Sequence, residues 1–345
     1  MLKPSTNKRY AALGFGEVMM RLSPSGNERI GQSHQFIKHA AGAEMNVMSG
    51  VARLNIRTGV ISKLPQSMVG RYVRNQIRSY GVSDDFVVND QSDTARLGIY
   101  YYESGMFPRK PSVNYDRKNS SFTTIKLSEI PEGIYNDTSL FHTSGISLAV
   151  GQGPREVAIE LMKGFKKAGA LVSFDVNYRA TLWPEDEAKA VIESVLPYVD
   201  VLFVSEETSR RMLGRTGTME EIMRGYCEQY GVGVVASTQR VVNSPRTHTF
   251  GSLLYAHEEN SFYTEAPYEN IEVVDRIGSG DAYVSGVLAV LLSGGDYQKA
   301  VAYGNAMSAI KNTIPGDLMA TDIAEIENVI ADHQNTSGIK SEMNR

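Results

Sequence analysis

The sequence predicts an α/β fold in which helices cover both faces of a mainly parallel central sheet and a small second β-sheet stands apart. Between residues 139 and 236, short apolar strands alternate with amphipathic helices of about 10–15 residues, which is typical of a parallel sheet. Residues 93–121 are rich in tyrosine and show no helical period, which indicates strands outside that sheet. The 345 residues, 42% of them hydrophobic, suffice for one large α/β domain or two small ones.

In the first part of the chain, the sequence pattern predicts two strands and two helices. Tyr10–Phe15 and Thr58–Ser62 are short apolar strands. A helix opens within His39–Asn46, and a second covers Ser67–Tyr80, because apolar residues recur there at helical spacing. Gly81 follows at the position where glycine commonly ends a helix.

The second part continues the alternation of strands and helices. Predicted strands cover residues 139–143, 170–175, 201–204, 233–236 and 271–274, and a β-hairpin covers 255–265. Predicted helices cover residues 154–168, 185–199, 206–213, 219–230, 297–311 and 321–333, and a buried helix begins at residue 282.

These elements suggest three regions. The α/β domain takes residues 1–17, 39–92 and 122–335, and the small β-sheet takes residues 18–38 and 93–121. Residues 336–345 are polar and are predicted to be a flexible tail.

Composition argues against several classes of function. A net charge of −4 gives no reason to expect nucleic acid or an anionic membrane as a partner. No apolar run approaches the ~18 residues of a membrane span, and no apolar stretch follows the basic residues near the start. Cys227 is the single cysteine, so an intrachain disulfide cannot form. We therefore expect a cytoplasmic protein.

Residues 278–281 are the strongest candidate for a chemical site. The strand predicted over 271–274 leads into Gly278-Ser279-Gly280-Asp281, and a buried helix follows. A helix N-terminus presents unpaired N–H groups and partial positive charge, and glycines allow an anion to approach them. Asp281 could accept a proton from a hydroxyl aimed at that anion, or it could simply cap the helix.

A second polar segment is predicted on the same rim of the sheet. Phe174–Arg179 follows a strand end, as does residue 278, and parallel sheets bind ligands beyond the carboxyl ends of their strands. A dinucleotide fold is the competing interpretation of Gly14-Phe15-Gly16. It lacks the third glycine of G-x-G-x-x-G, because Met19 stands there.

Residues 275–281 resemble the D-x-x-G-A-G-D motif of the PfkB (ribokinase-like) carbohydrate kinases. Gly42 and Asn46 resemble that family's G-G-A-x-x-N element, with Ala41 at its usual first glycine. The resemblance covers residues 10–332. It implies a ribokinase-like fold, an anion hole at Gly278, Ser279 and Gly280, Asp281 as catalytic base, sugar contacts from Gly42, Asn46 and Asp281, and a small sheet acting as a lid.

Further matches resemble the 2-keto-3-deoxygluconate kinases within that family. Residues 175–183 resemble their D-x-N-Y-R-x-x-L-W segment, and Tyr100, Tyr115 and Arg117 match residues that hold the sugar acid. Arg117 and Arg179 would suit a carboxylate, because guanidinium binds it in bidentate fashion. The alternatives are lid packing for Tyr100, a solvated strand position for Arg117, and a helix cap or pairing with Asp175 for Arg179.

The resemblance also implies ATP and Mg²⁺. Ser205, Thr238, Arg240, Gly278, Gly280 and Asn305 are the candidate nucleotide contacts. Ser205 and Thr208 replace both ends of the family's N-x-x-E element, so no metal ligand is assigned, although Glu206 or Glu207 could substitute. Arg276-Ile277 replaces the frequent Thr-Thr, and a monovalent cation such as K⁺ remains an open third cofactor.

The sequence therefore predicts an ATP-dependent kinase that phosphorylates the terminal hydroxyl of a sugar acid, most similar to 2-keto-3-deoxygluconate kinase. A kinase for another ketose such as fructose, and a non-catalytic sugar-binding regulator on the same scaffold, are the alternatives. We also expect a homo-oligomer, because an exposed lid sheet often pairs with that of a neighbouring subunit.

Overall fold

The computed structural model describes residues 2, 4, 5 and 7–335, so the predicted tail at residues 336–345 lies outside the described residues. The strands, in chain order, are β1 (Tyr10–Phe15), β2 (Met19–Pro24), β3 (Phe36–Ala41), β4 (Thr58–Pro65), β5 (Val82–Asp90), β6 (Ile99–Glu103), β7 (Ser112–Asp116), β8 (Thr138–Ser144), β9 (Leu171–Asp175), β10 (Val201–Phe203), β11 (Val234–Ser244), β12 (Thr247–Ala256), β13 (Ser261–Thr264) and β14 (Tyr268–Glu272).

The α-helices are α1 (Ala43–Arg53), α2 (Met68–Ser79), α3 (Gly145–Ala149), α4 (Gln152–Lys167), α5 (Glu185–Val195), α6 (Glu206–Arg211), α7 (Met219–Tyr230), α8 (Ser279–Leu292), α9 (Tyr297–Asn312) and α10 (Ile323–Gln334). Among the described residues, none of these helices combines the length and the apolar character needed to cross a bilayer.

Within the described residues, ten strands form the main sheet in the order β13-β12-β11-β10-β9-β8-β1-β4-β5, with β14 paired to β12. Strands β11, β10, β9, β8, β1, β4 and β5 run parallel to their neighbours, while β12 pairs antiparallel with β11, β13 and β14. The parallel centre with an antiparallel edge matches the predicted sheet. It brings the carboxyl ends of β9 and β10 to one rim.

Helices cover both faces of this sheet. Along β1, Ala12 packs into one core with α1, α8 and α9, while Leu13 and Phe15 pack into a second core with α4 and α7. Side chains of a strand alternate between faces, so a strand covered on both sides is buried throughout. Helix α8 is almost fully buried, and Gly286 lets it approach the backbone of Tyr303 on α9. The start of α8 is therefore held by packing along its whole length.

The small sheet has the order β3-β2-β6-β7 and is separate from the main one. Strands β2 and β6 are parallel, and the outer strands β3 and β7 pair antiparallel to them. The predicted fold class is thus confirmed. Strand β3 continues to Ala41, three residues past the predicted boundary at residue 38, and leads directly into α1.

Two parts of the sheet extend beyond the prediction. Strand β5 was not predicted, because Ser83, Asp84 and Asp85 interrupt its apolar pattern, and it lies at a sheet edge where charged residues are tolerated. Strand β11 runs to Ser244 instead of ending near residue 236, and pairs with β12 as a long, partly exposed hairpin. The predicted hairpin at 255–265 is present as β12 and β13.

Candidate active site

The turn before α8 has a backbone that only glycine can adopt at its first position. Gly278 has φ +83°, and a Cβ there would lie 2.2 Å from the carbonyl oxygen of Asp317. Helix α8 then starts at Ser279, three residues earlier than predicted. Gly280 is exposed, and a Cβ there would meet open space. The N–H groups of Gly280 and Asp281 have no hydrogen-bond partner among the described residues, so they can receive an anion.

Asp281 follows this turn as a half-buried carboxyl. Its Oδ2 accepts a hydrogen bond of 2.6 Å from Nδ2 of Asn46, a buried residue on α1. Burial raises the pKa of Asp281 to about 7, the Asn46 hydrogen bond opposes that rise, and the charge of Asp175 adds to it. A carboxyl with a pKa near neutrality is suited to exchange a proton with a substrate.

Asp175 is a second carboxyl of the same kind at the end of β9. Burial raises its pKa to about 7, while Arg179 and the N–H of Asn177, which donates to Oδ1 at 3.0 Å, counteract the rise. Glu44, buried on α1, also raises the pKa of both carboxyls. We therefore expect Asp175 and Asp281 to titrate as a coupled pair. Asp175 was predicted only as a possible partner of Arg179, although its place at a strand end was a usable signal of a site residue.

A cleft of about 730 Å³ opens beside Gly280. Its lining includes the predicted site residues Arg179, Ser205, Thr238, Arg240, Ser279 and Gly280, together with Asp175, Glu206 and Glu207. The rim position predicted for residues 174–179 and 278–281 is thus observed, and it places these groups around one space.

Three guanidinium groups give this region a positive potential. Arg179, Arg240 and Arg276 form no ion pair within the described part of the chain. Burial lowers the pKa of Arg240, and the charges of Arg276 and Arg179 lower it further, so Arg240 is close enough to each of them to be repelled. Uncompensated guanidinium groups beside free helix N–H groups suit phosphate or carboxylate ligands.

Ser205 lies in the cleft as the N-cap of α6. Its Oγ accepts from the N–H of Thr208 at 3.1 Å and is 2.8 Å from the Thr208 Oγ1. The two residues that replace the family's N-x-x-E element therefore bond to each other. Thr238 is half-buried on β11 and faces the same cleft.

The placement of Asn305 contradicts its predicted contact with the nucleotide. Asn305 is fully buried on α9, where it accepts from Ser252 Oγ at 2.8 Å and donates to Glu265 Oε1 at 3.2 Å. The helical position was predicted, but a single sequence does not distinguish an inward-facing amide from an exposed one.

Arg117 also differs from its prediction as a substrate ligand. It is buried just after β7, and its guanidinium is ion-paired with the buried carboxylate of Glu17. Ser120 Oγ donates to the other oxygen of Glu17 at 2.5 Å. The charge of Arg117 is therefore already neutralised, which corrects both the predicted sugar contact and its alternative as a solvated strand residue.

The remaining predicted sugar contacts lie around α1 and the small sheet. Gly42 has φ +147°, and a Cβ there would lie 2.4 Å from the Glu17 carbonyl oxygen, so glycine is required. Tyr100 is buried, and its hydroxyl donates to Asp317. Tyr115 is 44% exposed, with its ring 5.5 Å from that of Tyr100. Tyr115 is therefore accessible to a ligand, whereas the Tyr100 hydroxyl is engaged.

The carboxylates of the cleft suit a Mg²⁺ ion only when other ligands complete its coordination. No group of three or more His, Cys, Asp or Glu in the described ranges is arranged to hold a metal ion alone. Mg²⁺ at nucleotide sites is usually held by one or two carboxylates together with phosphates and water. Asp175, Glu206 and Glu207 line the cleft, so the donor set fits an ion that arrives with phosphates.

A helix start with free N–H groups beside a carboxyl whose pKa is near neutrality is an arrangement suited to phosphoryl transfer. Residues 12–318 match the profile described as "pfkB family carbohydrate kinase". The chain belongs to this family and is a sugar phosphotransferase.

Several relatives cover nearly the whole chain. The 2-dehydro-3-deoxygalactonokinase of Haloferax volcanii is 36% identical over 316 residues, which are 92% of this chain and 95% of that protein. The 5-dehydro-2-deoxygluconokinase of Listeria monocytogenes is 25% identical over 90% of this chain and 92% of its own. The crystal structure of 2-dehydro-3-deoxygluconokinase from Thermotoga maritima aligns with a TM-score of 0.88 at 31% identity, covering 93% of this chain and 99% of that one.

Proposed function

We propose that this kinase uses ATP to phosphorylate the terminal (C6) hydroxyl of a sugar acid, with 2-keto-3-deoxygluconate as the first candidate. The observation that carries the proposal is the unpaired guanidinium of Arg179 on the same rim as Asp281 and the free N–H groups of α8. A neutral sugar offers this exposed cation no charged partner, whereas a carboxylate would form an ion pair with it. The names of the relatives, all kinases of deoxy keto sugar acids, support the same class.

The ion pair between Arg117 and Glu17 leaves fewer positive charges available for a substrate carboxylate. With Arg117 paired to Glu17, Arg179 is the predicted sugar ligand whose positive charge remains available. We therefore infer that Arg179 binds the substrate carboxylate, while Asn46 and Asp281 bind the hydroxyl end. Arg240, with Arg276 nearby, would neutralise the nucleotide phosphates.

Asp281 would act as the base for an in-line transfer. The hydroxyl oxygen forms a bond to the γ-phosphorus as the bond from that phosphorus to the bridging oxygen breaks, and ADP leaves with the electron pair. The hydroxyl proton passes to Asp281, and the N–H groups of Gly280 and Asp281 stabilise the charge on the transferred group. Most of the rate enhancement would come from positioning the sugar hydroxyl and the γ-phosphate, because phosphoryl transfer requires little other chemistry from the protein.

Mg²⁺ bound with ATP would neutralise charge on the phosphates. Asp175, Glu206 and Glu207 are the residues that would hold it, directly or through water. Asp175 also raises the pKa of Asp281, so filling this site would change the proton affinity of the base.

A substrate panel tests the proposal. ADP release is measured with ATP and MgCl₂ against 2-keto-3-deoxygluconate, 2-keto-3-deoxygalactonate, 5-keto-2-deoxygluconate and fructose. We expect the highest kcat/KM for a 2-keto-3-deoxy acid. Arg179→Ala should lower kcat/KM for that acid about 10–100-fold, which is the loss of one charge-assisted hydrogen bond, and should leave fructose turnover unchanged.

Arg211→Ala is the matched control. Arg211 lines the same cleft, but its guanidinium is already ion-paired with Glu185, so the variant tests general loss of positive charge. A preference for fructose that is insensitive to Arg179 would support the ketose alternative. Absence of ADP release with every sugar, together with retained sugar binding, would instead support the non-catalytic regulator.

A further inference from the structure

A buried lysine lies directly behind residues 275–280, which we call the phosphate-binding turn. Lys311, near the end of α9, has no solvent exposure. Its Nζ donates to the carbonyl oxygen of Ile314 at 2.9 Å and to that of Asp275 at 3.4 Å. A compact positive charge among backbone carbonyl oxygens has the same surroundings that proteins give to a bound monovalent cation.

The two carbonyls belong to the two segments that form the floor of the turn. The N–H groups of Val274 and Asp275 donate to the carbonyl of Asn312, at 2.8 and 3.1 Å. The carboxylate of Asp275 accepts from the N–H of Gly316 at 3.0 Å, and Asp317 packs beneath Gly278. Lys311 therefore joins segments 274–278 and 312–317 at the base of the anion-binding N–H groups.

Charge in this region is already balanced by side chains. Arg21, buried on β2, pairs with Asp275 at 2.6 Å and with Asp317 at 3.1 Å. Two cationic side chains, Arg21 and Lys311, thus face two acidic ones, Asp275 and Asp317. A free cation added here would bring an uncompensated positive charge into a buried region.

We propose that Lys311 is a built-in cation that positions the phosphate-binding turn, so that this kinase needs no K⁺ or other free monovalent cation. The proposal rests on the proposed function and answers the question of a third cofactor. Lys311 is a positioning residue, because it acts through the backbone of residues 275–278 and contacts no reacting atom. Burial lowers the pKa of Lys311, and the charges of Asp275 and Asp317 oppose part of that fall.

The wild-type enzyme provides the first test. Phosphorylation is measured with ATP and MgCl₂ in KCl, in NaCl and in tetramethylammonium chloride at equal ionic strength. We expect kcat to agree within about 2-fold across the salts. A requirement for K⁺ would overturn the proposal, whereas absence of phosphorylation in every salt would overturn the proposed function instead.

Two substitutions at the same position provide the second test. Lys311→Ala leaves space for an ion between the carbonyls, whereas Lys311→Met removes the charge and fills the space. We expect kcat to fall at least 10-fold in both variants with little change in the KM for sugar. K⁺ or NH₄⁺, but not tetramethylammonium, should restore K311A, and none of them should restore K311M.

Lys299→Ala is the control on the same helix, since Lys299 is exposed and should show no dependence on salt. Unchanged kcat in K311A, or a folded K311A that no small cation restores, would contradict the role of Lys311. If K311A does not fold, the kcat of K311M and the comparison of wild-type kcat across the salts test the role of Lys311. The melting temperature in each salt is the second readout.

Discussion

At the scale of single residues, the proposed catalytic role of Asp281 goes together with a cost in stability. Burial raises its pKa to about 7, and Asn46 holds its carboxylate oxygen at 2.6 Å. Asparagine at position 281 could still accept that hydrogen bond but could not accept a proton. We expect Asp281→Asn to lower kcat by ~10²–10⁴-fold, the usual contribution of a general base. Calorimetric titration should show unchanged sugar affinity. Retained turnover would contradict the assignment of Asp281 as the general base.

The same variant should change how stability depends on pH. A carboxyl whose folded pKa is raised contributes stability below its unfolded pKa of about 4, and that contribution is lost as pH rises through about 7. Asp281→Asn removes the titration, so it should raise Tm more at pH 8 than at pH 5, by an additional ~2 °C or more.

Thermal melts of wild type and Asp281→Asn at both pH values measure this difference. Asp296→Asn, an exposed N-cap residue of α9, should show no comparable gain at pH 8. Equal changes at both pH values would indicate that Asp281 is not titrating near neutrality.

Arg117 provides the opposite kind of prediction, because it is held by a structural partner. Removing one member of a buried ion pair costs about 3–5 kcal/mol of unfolding free energy. We expect Arg117→Ala to reach that range in urea denaturation, since Glu17 would be left buried without its cation. Arg96→Ala breaks an exposed pair with Asp116 in the same small sheet and should cost less than about 1 kcal/mol.

A stable Arg117→Ala with impaired sugar binding would restore the original prediction for this residue. The comparison shows what single residues of a sequence can reveal. The glycines and Asp281 lie within four consecutive residues, so their place at a helix start was predictable. Whether Arg117 and Asn305 meet a ligand depends on partners about 100 and 40–53 positions away, Glu17, Glu265 and Ser252, and no local pattern specifies such pairs.

At the scale of elements, the start of α8 distinguishes two glycines with different tasks. Gly278→Ala would place a methyl group against the Asp317 carbonyl at φ +83°, so we expect a loss of stability and of activity. Gly280→Ala meets open space within a helix, where alanine is favoured by up to about 1 kcal/mol. Its methyl group would instead crowd the approach of phosphate.

We therefore expect Gly280→Ala to melt at or above the wild-type temperature while kcat falls by on the order of 10²-fold or more, as for a lost oxyanion contact. Denaturation and initial rates on both variants test the pair. Wild-type activity in Gly280→Ala would show that phosphate does not approach these N–H groups.

The elements themselves were predictable to the extent that their patterns are local. Buried strands such as β1 and amphipathic helices such as α7 have the periodicity and end signals that specify them, and both match their predicted ranges. Strand β5 and the outer half of β11 lack such a local pattern, because they are exposed or carry charged residues. They form strands through pairing with their neighbours.

At the scale of the whole molecule, the sequence predicted the two sheets but not what connects them. The alternation of strands and helices implies the parallel sheet, and the tyrosine-rich segment implies a separate one. Arg21 on β2 and Tyr100 on β6 both bind Asp317, which lies against the phosphate-binding turn. This buried connection couples the small sheet to the turn, and it joins residues too distant in sequence to be recognised.

The small sheet also bears on the predicted homo-oligomer. Its outer strands expose large apolar side chains that are 38% to 50% accessible: Phe36 and Ile37 on opposite faces of β3, and Val113 and Tyr115 on one face of β7. Large contiguous apolar patches are rare on the surface of a monomeric protein. A stable interface between two proteins buries roughly 800 Å² on each partner. We expect a homodimer through this sheet, to be measured by sedimentation equilibrium at micromolar concentration.

Ile37→Lys should shift that equilibrium to monomer, because the interface would have to desolvate a charge. Met68→Lys, on α2 outside the sheet and 79% exposed in the structure, is the matched control and should leave the mass unchanged. If the dimer holds the small sheet in place as the proposed lid, the monomeric variant should also show a raised KM for sugar. Its kcat should change little, since residues 278–281 lie at the start of α8, a helix buried within one subunit. A wild-type monomer would contradict the predicted homodimer, whereas a dimer that Ile37→Lys leaves intact and Met68→Lys breaks would place its interface outside the small sheet.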